Sequence, residues 1–463
     1  MSGKIVYYST NRNLSIKDGI TPFRSAVTFR EALLMGQAPD EGLFMPDPIP
    51  TVSIKDIQSL QGAPYSEMAM LITGAFLNRE VPYDALRKIV EDAYNFMVPL
   101  EKVTGRKYIM RLDQGPTASF KDFAARMMAR LMSHFRDGGR RLNVLVATSG
   151  DTGSAVGEAF KGVPGIDVTI LYPGTEVSER QKKQLNTIGG NVQAISINGK
   201  FDDCQNLVKQ AFADPGLRDM NLTSANSINF GRIMPQIIYY VYAYAQLARD
   251  SEAIVFSVPS GNFGDALGCE YARRMGLPVK TLIMPTNEND EFPRYLETGQ
   301  YQKVSPSVDC LSNAMNVGNP SNLARFFDLY RGTVDRNGCV HRYPDVQEMK
   351  RRIFSVSISD SQTRETIRSA YERYGILLEP HGAVGWRGLD MYLERHGDFP
   401  LCISLETAHP AKFPDEIQKL IGIVPEAPPS LKDIDSRVGE PLYLQPDYGI
   451  FRKYLFQNLR SRD

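Results

Sequence analysis

The feature that most constrains this chain is a rhythm of short apolar runs alternating with helical patterns. Residues 142–147, 168–172 and 192–197 are apolar runs of strand length. Each is followed by helical spacing, over 154–160, 178–185 and 203–212. The rhythm resumes with a strand at 254–258, a helix at 263–275 and a strand at 281–284. Helices over 361–374 and 383–394 then lead to a strand at 401–405. Strands that are apolar throughout and spaced by helices read as βαβ units of a parallel sheet buried on both faces. The expected class is α/β with wound parallel sheets. Ligands of such sheets sit beyond the carboxyl ends of the strands, so chemistry is expected in the strand-to-helix loops.

The chain has 463 residues, enough for about three domains at ~150 residues each. Lys+Arg and Asp+Glu both number 53, so no electrostatic footprint for nucleic acid or an anionic membrane is expected. With 42% hydrophobic and 23% charged residues, the chain reads as globular and able to bury cores without staples. Cys204, Cys269, Cys310, Cys339 and Cys402 include no C-x-x-C pair. That argues for reduced thiols packed as small hydrophobes, against a zinc ribbon or a disulfide framework. The start of the chain turns polar by Ser9, without the apolar stretch of a signal peptide. The longest apolar run, 237–248, falls short of the ~20 residues that span a bilayer. A soluble cytoplasmic protein is expected.

Three strand-to-helix loops stand out: Thr148-Ser149-Gly150-Asp151-Thr152-Gly153, Ser260-Gly261-Asn262-Phe263-Gly264-Asp265 and Thr407-Ala408-His409-Pro410-Ala411-Lys412. Small hydroxyl residues and glycines let backbone N–H groups approach an anion at a helix start. Neither G-x-G-x-x-G nor G-x-x-x-x-G-K-[ST] occurs, which removes the main support for dinucleotide or P-loop binding. H-E-x-x-H is absent and the five histidines are scattered, so no metal site is expected. Each loop alone is an ordinary turn. Two anion-type loops together suggest a ligand with two anionic ends, such as a phosphate and a carboxylate.

A fourth segment, Asp113-Gln114-Gly115-Pro116-Thr117-Ala118-Ser119-Phe120-Lys121, precedes an amphipathic pattern of Phe123, Met127, Met128, Leu131, Met132 and Phe135. Lys121 therefore falls in the first turn of a helix, where the dipole disfavours a cation. That bias favours the neutral amine, the form that makes a Schiff base. An isolated lysine at a helix start is more often solvated; its Gly-Pro-Thr-x-Ser-Phe context and the anion loops shift the balance.

Gly115 to Phe123 resembles the pyridoxal-phosphate lysine motif of threonine synthases, which belong to the fold-type II group of pyridoxal-phosphate enzymes. The resemblance covers nearly the whole chain. It continues through Gln37-Ala38-Pro39-Asp40-Glu41-Gly42-Leu43, the loop at Thr148, and Asn226-Ser227-Ile228-Asn229-Phe230-Gly231-Arg232. Gly261-Asn262-Phe263-Gly264-Asp265, Asn316-Val317-Gly318-Asn319-Pro320-Ser321-Asn322, Glu379-Pro380-His381-Gly382 and the loop at Thr407 complete the ordered set.

The resemblance implies roles residue by residue. Lys121 would hold the cofactor and then act as acid and base. Gly261, Asn262, Phe263, Gly264 and Asp265 would bind its phosphate, and Thr407 would face its pyridine nitrogen. Ser149, Gly150 and Thr152 would grip the substrate α-carboxylate, with Asp151 near the cofactor O3′. Asn226, Ser227 and Arg232 would bind the substrate phosphate, a task suited to a planar guanidinium. Many fold-type II enzymes carry Asn where this chain has Asp151. A carboxylate there is repulsive to its neighbours unless a proton or a cation intervenes. His381 and His409 read as structural hydrogen-bonders, Trp386 as a core or interface aromatic, and Tyr239, Tyr240, Tyr242 and Tyr244 as a packing run on a helix after Arg232.

The implied reaction converts O-phospho-L-homoserine and water to L-threonine and phosphate, by γ-elimination and β-addition of water. The implied fold has two wound parallel-sheet domains, tryptophan synthase β-like, behind an N-terminal, largely helical region at 1–95. A large cofactor-binding domain is expected over 96–139 and 232–463, with a small mobile βαβ domain at 140–231. A monomer or homodimer is expected. Two rivals remain: a phospho-lyase or threonine/serine dehydratase on the same fold, and a non-catalytic binder of a phosphorylated metabolite, which would have no use for Lys121.

Overall fold

The apolar runs of the sequence pair, strand by strand, into two separate parallel sheets. The computed structural model describes residues 4–136, 140–249, 251–397 and 400–459. One sheet has six strands in the order Ile353–Phe354, Val279–Ile283, Ile254–Ser257, Leu401–Glu406, Lys107–Arg111 and Leu100–Thr104. All its pairings are parallel except the last, an antiparallel hairpin joined at Gly105. The other has five parallel strands in the order Leu442–Leu444, Val192–Ile197, Ile166–Pro173, Leu142–Ala147 and Leu222–Ser224. Leu142–Ala147 and Leu401–Glu406 are buried along their whole length, as continuous apolar strands covered on both faces must be.

The helix Lys121–Phe135 packs on Asp151–Phe160 and on Tyr83–Ala93. Phe123, Met127, Met128, Leu131 and Met132 are fully buried, each at helical spacing. Phe123 sits edge-on to Tyr65, Phe96 and Tyr239, with ring centroids 5.4, 4.9 and 5.5 Å away. Burying one such ring contributes ~1.5–3 kcal/mol. The N-terminal region is helical over Phe29–Met35, Ile54–Ser59, Tyr65–Leu77 and Tyr83–Ala93, with a short antiparallel pair, Val6–Ser9 and Phe44–Asp47. Its first helix starts at a capping box, Thr28 with Glu31, and Glu80 accepts from the Phe29 and Arg30 amides at 2.9 and 3.0 Å. All four orphan donors of that helix start, the amides of Thr28, Phe29, Arg30 and Glu31, are thereby satisfied.

One feature departs from the expected division at 231. The chain returns to the five-stranded sheet at its far end, where Leu442–Leu444 pairs with Val192–Ile197. The helix Tyr448–Leu459 then buries Phe451 and Leu455 against Leu145, Leu171, Ile195 and Leu207. Residues 442–459 thus pack with the 140–231 block and not with the six-stranded sheet, because their apolar face completes that block's open side. Among the described residues no helix is long and apolar enough to cross a membrane. Among the described residues no disulfide joins the five cysteines, of which Cys339 is exposed and the other four are buried.

Candidate active site

The carboxyl ends of four strands from both sheets open on one cavity of about 930 Å³. Leu142–Ala147 delivers Ser149, Asp151 and Thr152; Leu222–Ser224 delivers Asn226, Ser227 and Arg232. Ile254–Ser257 delivers Gly261, Asn262, Phe263, Gly264 and Asp265, and Leu401–Glu406 delivers Thr407. Lys121 lines the same cavity. Of the residues expected at the site, Gly150 is the one that does not line the cavity.

Lys121 is the first residue of its helix, after Phe120. Its loop is stitched to the strand end that carries Thr407. Phe120 N donates to Thr407 O at 2.9 Å, His409 N to Ala118 O at 3.0 Å and Leu112 N to Glu406 O at 3.0 Å. The next residue, Asp122, accepts from Thr117 N and Oγ1 at 2.9 and 2.6 Å, closing the loop on itself. Burial brings the Lys121 amine down to about 8, aided by the charges of Arg232 and Lys412 and opposed by Asp151 and Asp265. This amine gives up its proton more readily than an ordinary lysine does.

The helix Asp151–Phe160 starts at the cavity, preceded by Gly150 at φ +132°. Thr148 Oγ1 accepts from Gly150 N and Gly153 N at 3.0 and 2.8 Å. Gly150 therefore shapes the turn and spends its own amide on Thr148. Asp151 faces a cation that sequence reasoning did not pair with it: Lys412 Nζ lies 2.6 Å from its Oδ1, and Gln181 Nε2 donates to the same oxygen at 3.0 Å. Burial raises Asp151, but Lys412 and Lys121 outweigh it and hold the carboxyl well below the usual range.

Gly264–Arg274 presents a second helix start, after Phe263 at φ +61°. Among the described residues, the first amide of this stretch to close on the protein backbone is Leu267, onto Phe263 O at 2.9 Å. The amides ahead of it are the donors a helix start leaves open. A Cβ on Gly261 would lie 2.9 Å from the Met315 Cα, so the approach of that loop demands glycine. Asn262 Oδ1 accepts from Ser321 Oγ at 2.9 Å, which leaves its amide nitrogen as a donor. Asp265 turns its carboxylate to the hydroxyls of Tyr239 and Tyr240. Burial raises it to about 6 in spite of those bonds.

Arg232 is 3% exposed, donates Nη1 to Ala225 O at 2.7 Å and leaves Nε without a partner. Among the described residues it forms no ion pair, and burial lowers it to about 10. Asn226 spends its side chain on Ala147, donating to O at 2.7 Å and accepting from N at 3.3 Å. It ties together the loops that follow two strands. Arg325, missed from sequence, holds the 227–228 backbone from below through Ser227 O and Ile228 O at 3.1 and 2.7 Å. His381 accepts from Ala314 N at 3.1 Å and is fixed through Nδ1 by Glu379 at 2.5 Å. His409 accepts from Ala411 N at 3.1 Å, and burial, with Arg111 and Lys412, lowers it to about 4. Trp386 is a core ring with Lys107 Nζ 3.7 Å from its centroid. Among the described residues, two trios of ligand-type side chains, Asp335–Cys339–His341 and Glu288–Cys310–Asp360, do not line the cavity.

Comparison with known proteins agrees with this geometry over the length of the chain. The family model for pyridoxal-phosphate dependent enzymes matches residues 97–400; those for the threonine synthase N terminus and C-terminal region match 14–94 and 382–446. The chain is 40% identical over 437 residues to a threonine synthase of Haemophilus influenzae, covering 93% of this chain and 97% of that one. It superposes on the crystal structure of threonine synthase from Escherichia coli with a TM-score of 0.86 at 34% identity, covering 98% and 99% of the two chains. The pyridoxal-phosphate-bound threonine synthase of Brucella melitensis gives 0.88 at 34% identity, with 98% and 100% coverage. An α/β fold, a lysine poised on a cavity with two helix starts, and relatives matched almost end to end place this chain in the threonine synthase family of fold-type II pyridoxal-phosphate-dependent lyases.

Proposed function

We propose that the cavity converts O-phospho-L-homoserine and water to L-threonine and phosphate, with Lys121 as the cofactor lysine and proton carrier. The observation that carries this is Arg232, a buried guanidinium without an ion-pair partner among the described residues, lining the same cavity as a lysine brought down to about 8. A lone buried cation is costly unless an anion completes it, and a phosphate ester does so with paired oxygens. The donors fit pyridoxal phosphate as well: a glycine-lined helix start for its phosphate, an amine for its aldehyde, and the Thr407 hydroxyl for its ring nitrogen. When bound, that group supplies an electron sink for proton loss at Cα and Cβ and for departure of the γ-phosphate.

The chain's own residues do the rest. The open amides of Gly261, Asn262, Phe263, Gly264 and Asp265 hold the cofactor phosphate. The Asp265 side chain stays with its tyrosines. Ser149, Thr152 and the helix start behind them take the substrate carboxylate, which the dipole favours. Gly150 sets the turn that aims them. Arg232, with Ser227, holds the substrate phosphate, and Asn226 keeps that segment in register with 147–152. Lys121, brought down to about 8, removes protons from Cα and Cβ and returns one to Cγ and, after water has added at Cβ, one to Cα. The 140–231 block closes over the substrate and excludes water until the hydration step.

Borohydride reduction of the cofactor-loaded protein, followed by peptide mass mapping, tests the assignment of Lys121. The adduct is expected on the peptide containing Lys121, with loss of the visible absorbance. An adduct on any other lysine contradicts it.

A further inference from the structure

Lys412 stands behind the cavity wall and bonds to two parts of the site. Its Nζ lies 2.6 Å from Asp151 Oδ1 and donates to Thr117 O at 3.1 Å. It follows Thr407 on the same short segment. Arg180, on the helix that carries Gln181, reaches Ala411 O at 2.5 Å. Lys412 therefore joins the start of the Asp151 helix, 261 residues away from it in sequence, to the loop that presents Lys121. The side chains of Lys412 and Asp151 are 3% and 4% exposed. An ion pair withdrawn this far from water adds little net stability, and neutral groups of similar shape often serve as well. A charge-dependent purpose is therefore needed to explain it.

Asp151 supplies that purpose. It sits at the helix start proposed for the substrate carboxylate, where an uncompensated carboxylate repels its ligand. Lys121 is faced by Asp151 and Asp265 on the negative side and by Arg232 and Lys412 on the positive; Asp122 lies within the field of Lys412 too. We propose that Lys412 is a positioning residue for the reaction: it cancels the charge of Asp151 beside the carboxylate pocket and ties that helix start to the lysine-bearing loop. This rests on the reading of Ser149 and Thr152 as the carboxylate grip.

A double-mutant cycle in the cofactor-loaded protein tests it, with Lys412→Met, Asp151→Asn and both together. Two quantities are read: KM against kcat for O-phospho-L-homoserine, and the pH midpoint of the visible absorbance of the Lys121-linked cofactor. Lys412→Met leaves Asp151 unopposed; KM rises about 10-fold or more and the midpoint moves up by about one pH unit. Asp151→Asn leaves Lys412 unopposed, so its midpoint moves down. The double variant returns both quantities toward the parent. Equal defects in Lys412→Met and the double variant, or midpoints that do not move in opposite directions, overturn the proposal. Should Lys412→Met fail to fold, Lys412→Gln takes its place in the cycle, with the same expected shifts and the same contradicting results. If the parent protein shows no turnover, the substrate reading falls, while the midpoints still report whether the two charges act on Lys121.

Discussion

Burial acts in opposite senses on the two kinds of ionisable group around the cavity. It weakens the hold of Lys121 on its proton and strengthens that of Asp265. Half of the Lys121 amines are neutral at about pH 8, whereas an ordinary lysine reaches that point at 10.5. In cofactor-free protein an amine-directed reagent should therefore label Lys121 ahead of surface lysines, with a rate that climbs through pH 8. Peptide mapping checks this; labelling that begins to rise only near pH 10 contradicts it. Arg232→Gln should raise KM for the phosphate ester ~10- to 100-fold, the worth of a hydrogen bond to a charged group. Steady-state kinetics with the variant decides it. Asp265 was legible in a loop that follows an apolar run, Lys121 in the first turn of an amphipathic helix, and Arg232 only through the resemblance of 226–232 to a family motif. The pairing of Asp151 with Lys412 was not, because only the fold brings two residues so distant in sequence together. Arg325 was hidden for the same reason: its partners are backbone carbonyls, which carry no residue signature.

At the scale of elements, the strands and helices that the sequence rhythm marks after residue 140 lie within a few residues of their observed bounds, whereas short elements such as Leu222–Ser224, Ile353–Phe354 and Glu291–Thr298 carried no mark. The run 192–197 is the strand Val192–Ile197, and the pattern over 361–374 is the helix Asp360–Tyr374. Periodicity works there because those strands are buried on both faces and the helices have one apolar side. What it leaves out are the turns that aim the helix starts. Gly150 has φ +132°, and a Cβ there would lie 2.6 Å from the Gln181 side chain. Gly150→Ala should therefore destabilise the fold by ~1–3 kcal/mol and unseat Ser149 and Thr152. Thermal unfolding together with KM is the check; a variant with parental melting and parental KM refutes this account of the turn.

On the scale of the whole molecule, both sheets send strand ends to one cavity, so the site exists only when both are in place. The five-stranded sheet depends on the far end of the chain. Leu442–Leu444 is a three-residue strand, too short to announce itself by alternation, which is why the expected boundary missed it. Phe451 and Leu455 are fully buried in that sheet's core. Phe451→Ala should cost ~3–5 kcal/mol and Leu455→Ala ~2–5 kcal/mol. Hydrogen exchange should then quicken in Leu142–Ala147 and Val192–Ile197 before Ile254–Ser257 and Leu401–Glu406. Uniform quickening in both sheets would show that the C-terminal helix is not specific to one of them.

The central claim concerns the product. Purified protein loaded with pyridoxal phosphate should be given O-phospho-L-homoserine, and amino acid, 2-oxo acid and phosphate measured together, with Lys121→Ala alongside. The account predicts L-threonine and phosphate in equal amounts, no 2-oxobutyrate, and a rate lowered at least about 10³-fold in the variant. Phosphate released with 2-oxobutyrate in place of threonine would contradict it and make the chain a phospho-lyase on the same fold.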